Sequence, residues 1–99
     1  MEQHMIALEK ANDFRRRRAA LKREIKAGEV TLSDFLLEEP PEWLGGEPIG
    51  RLLRAAPRVG VTRARKLLAE EGIRENRLVG KLTKRQRLIL YLALRRIGR

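Results

Sequence analysis

The residues best suited to chemistry lie in a basic stretch, 56–68, that has a proline and a glycine near its start. Pro57 ends the preceding apolar segment, because it lacks an N–H group and has a fixed φ. Gly60 lets the backbone turn and approach a partner closely. From Thr62 the apolar residues recur at helical spacing, which predicts a helix with free amides in its first turn. Four cations surround these amides and make an anion the expected ligand: Arg58, Arg63, Arg65 and Lys66.

The order of residue types in this stretch is typical of a DNA-binding helix-hairpin-helix. It runs proline, any residue, apolar, glycine, apolar, two more residues and alanine. In such a motif, backbone N–H groups hold a phosphate without reading a base. The pattern usually has a second glycine where this chain has Arg58. In the alternative interpretation, Gly60 only ends one helix and begins another in a small bundle.

Composition limits the chain to one small domain with a basic surface. Its 99 residues cannot hold a large enzyme core, and 42% hydrophobic but only 4% aromatic residues predict a core of aliphatic side chains. The formal net charge is +10, from 23 basic and 13 acidic residues. A small protein with this charge concentrates around polyanions, of which nucleic acid is the commonest.

The charges are grouped into blocks along the chain. Residues 10–26 hold eight basic and two acidic side chains, 51–66 hold six and none, and 74–99 hold nine and one. Between them, residues 29–48 hold six acidic and no basic side chains. This alternation predicts distinct charged surfaces, because charge spread for solubility alone would be mixed.

Several function classes lack the residues that they need. There is no cysteine for a disulfide or a thiolate metal site, and the single histidine, His4, lies near the end of the chain. We find no metal-ligand cluster, Ser/His arrangement or Walker-type phosphate loop. No apolar run approaches the roughly 18 residues that span a bilayer, and no signal peptide is recognisable. We therefore expect a cytoplasmic protein that is not an enzyme and needs no cofactor or metal.

The first predicted element is a long helix over residues 5–27, with Gly28 as its stop. Its apolar residues recur at steps of three, four and seven: Ala7, Ala11, Phe14, Leu21 and Ile25. One side of it is basic, through Arg15, Arg16, Lys22, Arg23 and Lys26. This side is either a solvated face or a row of phosphate contacts, and the other basic blocks favour the second interpretation.

The acidic block contains a short helix and a loop. We expect Thr31 to cap that helix, residues 35–37 to form its buried side and Pro40 to end it. The acidic side chains there either face away from the nucleic acid or pair with the protein's own arginines: Glu38, Glu39, Glu42 and Glu47. Trp43 is expected to close the core over the loop, because a DNA wedge would not sit among carboxylates.

The second half of the chain predicts three more helices. One follows Pro48 to about Ala55 and turns Ile49, Leu52 and Leu53 inward. The next runs over 62–71 and ends at Gly72, with Ile73 folding back under it. The mixed segment 74–82 is too short for another long helix and is interpreted as two consecutive turns.

The last helix is predicted to begin with a capping box formed by Thr83 and Gln86. It is apolar over so much of its circumference that it should be sandwiched in the domain or paired with a second copy. Three cations in its first turn oppose the helix dipole: Lys84, Arg85 and Arg87. This unfavourable placement is easier to understand if a phosphate sits there.

Taken together, these segments resemble the actinobacterial-type integration host factor family, nucleoid proteins unrelated in fold to the two-subunit bacterial factor of the same name. The resemblance covers nearly the whole chain. It is carried by ALEKA at 7–11, KREIKAG at 22–28, LL at 52–53 with APRVG at 56–60, RA at 63–64 and RQR at 85–87.

The resemblance implies an all-α fold, in which a long basic helix (residues 1–28) packs on a helix-two-turns-helix DNA-binding domain (residues 29–99). Family members bind duplex DNA with little sequence preference, bend or constrain it, and support phage integration. The implied function is that of an architectural protein of the nucleoid that assists recombination.

By position, the family's phosphate contacts match Gly60, Thr62, Arg63 and Arg77. Val61 stands where the family usually has lysine, and the family's arginine-rich run is thinned after Arg77, so we expect Arg74 and Lys81 to substitute. The complete predicted DNA-binding set is Arg15, Arg16, Lys22, Arg23, Arg58, Gly60, Val61, Thr62, Arg63, Arg65, Lys66, Arg74, Arg77 and Lys81.

Two other functions fit parts of the pattern. The same hairpin and turns would suit an RNA-binding ribosomal or ribosome-associated protein, although no stacking aromatics lie among the basic residues. The apolar last helix would suit a protein-interaction module. We expect a monomer that binds double-stranded DNA and no membrane, with a dimer as the alternative.

Overall fold

The computed structural model describes the backbone of residues 2–97 and the side chains of residues 5–97. Over this range the chain is all-α, as predicted, with helices α1 (Glu2–Lys26), α2 (Asp34–Leu37), α3 (Ile49–Ala55), α4 (Gly60–Glu70) and α5 (Lys84–Ile97). Two 3₁₀ turns, at Glu42–Leu44 and Val79–Lys81, lie in the connections before α3 and α5.

Glycine ends two of the helices by the same arrangement of hydrogen bonds. After α1, Gly28 has φ 79° and donates its N–H to the carbonyl of Ile25 at 3.1 Å, while Glu29 donates to Glu24 at 2.9 Å. These two bonds form a Schellman motif, which needs a left-handed residue at the glycine position. The prediction that Gly28 stops the first helix is confirmed.

The end of α4 repeats the motif. Gly72 has φ 66° and donates to Ala69 at 3.1 Å, and Ile73 donates to Leu68 at 2.9 Å. Ile73 and Leu68 are both buried, so the expected return of Ile73 under the helix is confirmed. This apolar contact commonly accompanies the motif.

The core lies under the second half of α1. Leu21 and Ile25 are buried with the inward residues of α3, Ile49, Leu52 and Leu53, each of which is fully buried. At the other end of α1, Met5, Ile6 and Leu8 are more than half exposed. A helix of 25 residues is roughly 38 Å long, which exceeds the two smaller dimensions of the molecule, 28 and 23 Å. The predicted apolar stripe is therefore buried only in its second half.

The prediction for the start of α2 is wrong. The helix begins at Asp34, and no side chain caps it. The backbone before it already closes a turn, since Asp34 donates to the carbonyl of Thr31 at 3.1 Å and Phe35 donates to that of Leu32 at 2.9 Å. The Thr31 hydroxyl is therefore not needed as a cap. Leu37, expected inside, is half exposed, whereas Leu36 is buried.

The segment 74–82, here called the two-turn segment, is joined to α3 by backbone hydrogen bonds. Ile49 and Gly50 donate to the carbonyls of Arg77 and Glu75 at 2.8 and 2.9 Å, which satisfies the first amides of α3. A Cβ on Gly50 would lie 3.0 Å from the Cβ and the carbonyl oxygen of Glu75. The close approach of the two backbones therefore depends on this glycine.

The predicted capping box of α5 is present. Gln86 Oε1 accepts from the N–H of Thr83 at 2.9 Å, and Thr83 Oγ1 accepts from the N–H of Gln86 at 3.1 Å. Further along, Leu90, Ala93 and Leu94 are buried. The opposite side is not sandwiched, because Leu88 and Leu92 are about half exposed.

Candidate nucleic-acid interface

The connection between α3 and α4, residues 56–60, is here called the hairpin. Ala56 and Val59 are buried, and Val59 donates its N–H to the carbonyl of Ala56 at 3.3 Å. Pro57, Arg58 and Gly60 are exposed. The two apolar residues therefore anchor the hairpin, and the others face solvent.

Gly60 and Arg58 both have left-handed backbone conformations. Gly60 has φ 65°, and a Cβ built on it would meet no atom within 4 Å. Arg58 has φ 72° and is the one non-glycine residue with positive φ within the described part of the chain. This conformation costs a residue with a Cβ on the order of 1 kcal/mol, which explains why the motif usually has glycine there.

Helix α4 begins two residues earlier than predicted, at Gly60 instead of Thr62. Val59 precedes it, and no side chain caps its amides. Helix geometry leaves the first N–H groups, here those of Gly60, Val61 and Thr62, without an acceptor inside the helix. All three residues are exposed, so three amides at the positive end of α4 face open solvent.

The cations around the hairpin have different roles. Arg63 Nη1 donates to the carbonyl oxygen of Arg58 at 3.0 Å, which supports the left-handed residue. Arg65 Nε lies 3.3 Å from Glu75 Oε1 in an exposed ion pair. Arg58 and Lys66 are exposed, and neither forms an ion pair with another described residue. Their charges remain available to a ligand.

The two-turn segment lies beside the outer side of α4, since the ion pair between Arg65 and Glu75 joins them. Its three predicted contact residues, Arg74, Arg77 and Lys81, are all exposed. Arg77 Nη2 donates to the carbonyl oxygen of Lys81 at 3.1 Å. The arginine therefore closes the second turn and presents its remaining N–H groups to solvent.

The basic side of α1 divides into two kinds of residue. Arg15, Arg16 and Arg23 are exposed, and none is within ion-pair distance of a carboxylate among residues 5–97. Lys22, by contrast, donates from Nζ to Glu47 Oε1 at 2.6 Å. Lys22 therefore binds α1 to the rest of the protein and is the least available member of the predicted set.

Glu47 is buried and links separate parts of the fold, which the sequence analysis did not predict. Only 3% of it is exposed, and its carboxylate also lies 3.6 Å from Arg18 Nε. Its backbone carbonyl accepts from the N–H of Val79 at 2.9 Å. One residue thus joins α1 to the two-turn segment.

The sequence left two interpretations of the acidic block. Pairing with the protein's own cations holds for Glu47 and also for Glu42, which pairs with Lys10 at 3.3 Å. No spacing in the sequence distinguishes Glu47 from the exposed glutamates near it.

Comparison with known proteins identifies the family. No protein-family model matches the chain. It is 40% identical over 90 residues to the integration host factors of Mycolicibacterium smegmatis and Mycobacterium tuberculosis, alignments that cover 90% of this chain and 86% of each relative. The chain belongs to the actinobacterial-type integration host factor family. The integration host factor of Streptomyces coelicolor is 34% identical over 79 residues, which are 79% of this chain and 74% of that protein.

The fold agrees with this membership. A solved structure described as sIHF bound to an 8-bp palindromic DNA superposes with a TM-score of 0.76 at 30% sequence identity. The match covers 87% of this chain and 98% of the other. Integration host factors are non-enzymatic, so the predictions of the family, the fold class and the absence of catalytic activity are confirmed. No helix of this integration host factor within residues 2–97 is long and apolar enough to cross a membrane.

Proposed function

We propose that this integration host factor binds duplex DNA through its phosphates with little sequence specificity, bends or constrains it, and so assists integration and recombination. The observation that carries the proposal is the set of three uncapped amides at Gly60, Val61 and Thr62, which face solvent in a cationic surrounding. Its homologue, sIHF, has been solved bound to DNA.

The hairpin suits a phosphate better than a base. Amide N–H groups at a helix start hold an anion by its oxygens, and they carry no information on base identity. The open space around Gly60 lets a sugar-phosphate chain approach the backbone directly. Arg58 and Lys66 add charge beside it, which strengthens binding without adding sequence preference.

Two further surfaces extend the proposed contact. The two-turn segment offers Arg74, Arg77 and Lys81 beside α4, and α1 offers Arg15, Arg16 and Arg23. In this scheme residues 1–28 form a basic arm and residues 29–99 the DNA-binding domain. Separated contacts on one protein constrain the path of a duplex, and the DNA bends wherever a straight double helix does not reach all of them.

Substitution of Gly60 tests the proposal. Gly60→Glu places a carboxylate against the proposed phosphate, and we expect duplex affinity to fall by about 100-fold or more while the helical circular-dichroism spectrum is kept. Wild-type protein engaging about 6–8 phosphates should show a slope of log affinity against log salt of roughly −5 to −7. Binding is measured by fluorescence anisotropy with two unrelated duplexes.

Gly72→Glu is the matched control. Gly72 has φ 66°, against 65° for Gly60, and a Cβ on either glycine meets open space. The two variants therefore carry the same strain and the same change of charge at opposite ends of α4. Equal affinity losses in both variants would show that the hairpin is not part of the DNA contact. If the wild-type protein binds a structured RNA more tightly than duplex DNA, the surface is assigned to RNA.

A further inference from the structure

Within the described residues, Arg87 is a buried arginine with two side-chain nitrogens that have no hydrogen-bond partner. Arg87, in the first turn of α5, is only 7% exposed. Its Nε and Nη1 atoms are the buried side-chain nitrogen or oxygen atoms that lack a hydrogen-bond partner in the part of the chain described. Burying a charged group without a partner is strongly unfavourable, and folded proteins avoid it unless something compensates.

Among residues 5–97, no carboxylate lies within ion-pair distance of Arg87. The sequence of α5 contains five cations and no acidic residue. The five ion pairs among residues 5–97 all use cations of α1 or α4, so none involves α5. Nε and Nη1 of Arg87 are therefore left without an acceptor among the described residues, and an external anion could supply one.

The surroundings of Arg87 on α5 are also unfavourable to a cation in the free protein. Lys84 precedes Arg87 by three residues and so lies beside it on the helix surface, where two like charges repel. Both lie in the first turn, at the positive end of the helix dipole. A bound anion would reverse the sign of each of these effects.

We propose that the first turn of α5 is a phosphate-binding site, in which the buried Arg87 is the main ligand and Lys84 covers it from solvent. The planar guanidinium presents paired N–H groups that match two phosphate oxygens. Because Nε and Nη1 are covered, a neighbouring side chain must move aside for the anion to enter, and in this proposal it is the exposed Lys84, one turn earlier on the same helix.

The position of Arg87 beside the two-turn segment indicates where the phosphate comes from, an inference that rests on the proposed function. The two-turn segment ends immediately before α5, and its Arg77 and Lys81 are exposed. A duplex lying on that segment would bring its backbone to the adjoining helix start. The site is therefore assigned to a DNA phosphate, and free inorganic phosphate is the other source of the same chemistry.

Arg87→Met tests the site through the melting temperature, which is compared with that of the wild type first without phosphate and then with it. Methionine keeps an unbranched side chain and removes the buried charge, so in buffer without phosphate or sulfate the variant should melt at a temperature at or above that of the wild type. Added phosphate, compared with chloride at equal ionic strength, should raise the melting temperature of the wild type by a few degrees and that of the variant by much less.

Arg96→Met is the control, because Arg96 is exposed near the other end of α5 and its loss changes net charge equally. This variant should keep the full response to phosphate. If a folded Arg87→Met variant responds to phosphate as the wild type does, the proposal is wrong. Should the variant melt well below the wild type or not fold, the wild-type protein decides by nuclear magnetic resonance. The Arg87 Nε–H signal, assigned with Arg87→Lys, must shift and saturate as phosphate is added, and no shift overturns the site.

Duplex binding separates the two sources. With DNA as the source, Arg87→Met lowers duplex affinity about 10-fold and makes the salt slope shallower by about 1, whereas Arg96→Met has a smaller effect. A phosphate response that disappears in Arg87→Met without any change in duplex affinity assigns the site to free phosphate and overturns the DNA assignment. If the proposed function is wrong, the Gly60→Glu variant binds duplex DNA as tightly as the wild type does, while the response of Arg87 to phosphate is unchanged.

Discussion

The hairpin and the two-turn segment are both exposed and basic, but their backbones are held in different ways. The hairpin has two left-handed residues, Arg58 and Gly60, and is supported by the exposed hydrogen bond from Arg63. The two-turn segment donates to or accepts from the backbone of residues 45–50 through four hydrogen bonds of 2.8–3.0 Å.

Because of this difference, we expect the two segments to bind a phosphate in different ways. In the proposed function the backbone of the hairpin is itself the ligand: its conformation is strained, and the first amides of α4 have no side-chain cap. In the two-turn segment the N–H groups of Arg77 and of residues 79–82 are already paired, which leaves side chains such as that of Arg77 as the main groups for a ligand. We expect changes in the hairpin to alter binding more than stability, and changes around the two-turn segment to alter stability more than binding.

The largest expected loss of stability comes from Gly50. Gly50→Val would place a branched side chain 3.0 Å from the Glu75 backbone, and neither backbone can move without breaking the hydrogen bond between them. We expect a loss of about 3 kcal/mol in the free energy of unfolding, measured by urea denaturation. Gly60→Val, which meets open space and carries only the left-handed strain of roughly 1–2 kcal/mol, is the comparison, and an equal loss in both variants would contradict the distinction.

A smaller loss is expected at Glu47, which links α1 to the two-turn segment. Glu47→Gln removes the charge that Lys22 and Arg18 share, and we expect a loss of about 2 kcal/mol because both cations are partly exposed and can rehydrate. Glu42→Gln, whose exposed pair with Lys10 should contribute under about 0.5 kcal/mol, is the control. Similar denaturation midpoints for the two variants would show that Glu47 does not hold α1.

The smallest change in the free energy of unfolding is expected at Arg58. This substitution tests the contrast between the hairpin and the two-turn segment most directly, because it affects stability and binding in opposite directions. Arg58→Gly relieves left-handed strain of roughly 1–2 kcal/mol but gives the unfolded chain more freedom, so the free energy of unfolding should rise by about 0.5–1 kcal/mol. It also removes one exposed cation, and duplex affinity should fall several-fold at low salt. Stability is measured by thermal denaturation and affinity by anisotropy. A variant that gains in both would show that this arginine contributes no binding charge.

Local sequence signals predicted the helix ends well. Gly28 and Gly72 were recognised as stops, and Thr83 with Gln86 as a capping box, because each signal acts over a few residues of one turn. The hairpin was recognised for the same reason, since proline and glycine restrict or free the backbone wherever they occur. Thr31 was misjudged because a backbone turn had already satisfied the amides that a cap would serve.

Tertiary contacts decided what no local pattern could. Glu47 resembles the other glutamates of the acidic block, and Arg87 resembles the two cations beside it, yet both are buried. Burial depends on which elements pack around a residue, and charge interactions strengthen sharply as solvent is excluded. The residue types and their local spacing were thus enough for the helices, the hairpin and the sign of the surface charge. Which charged side chains hold the fold together, and which one is left without a partner, follows from the packing of distant segments.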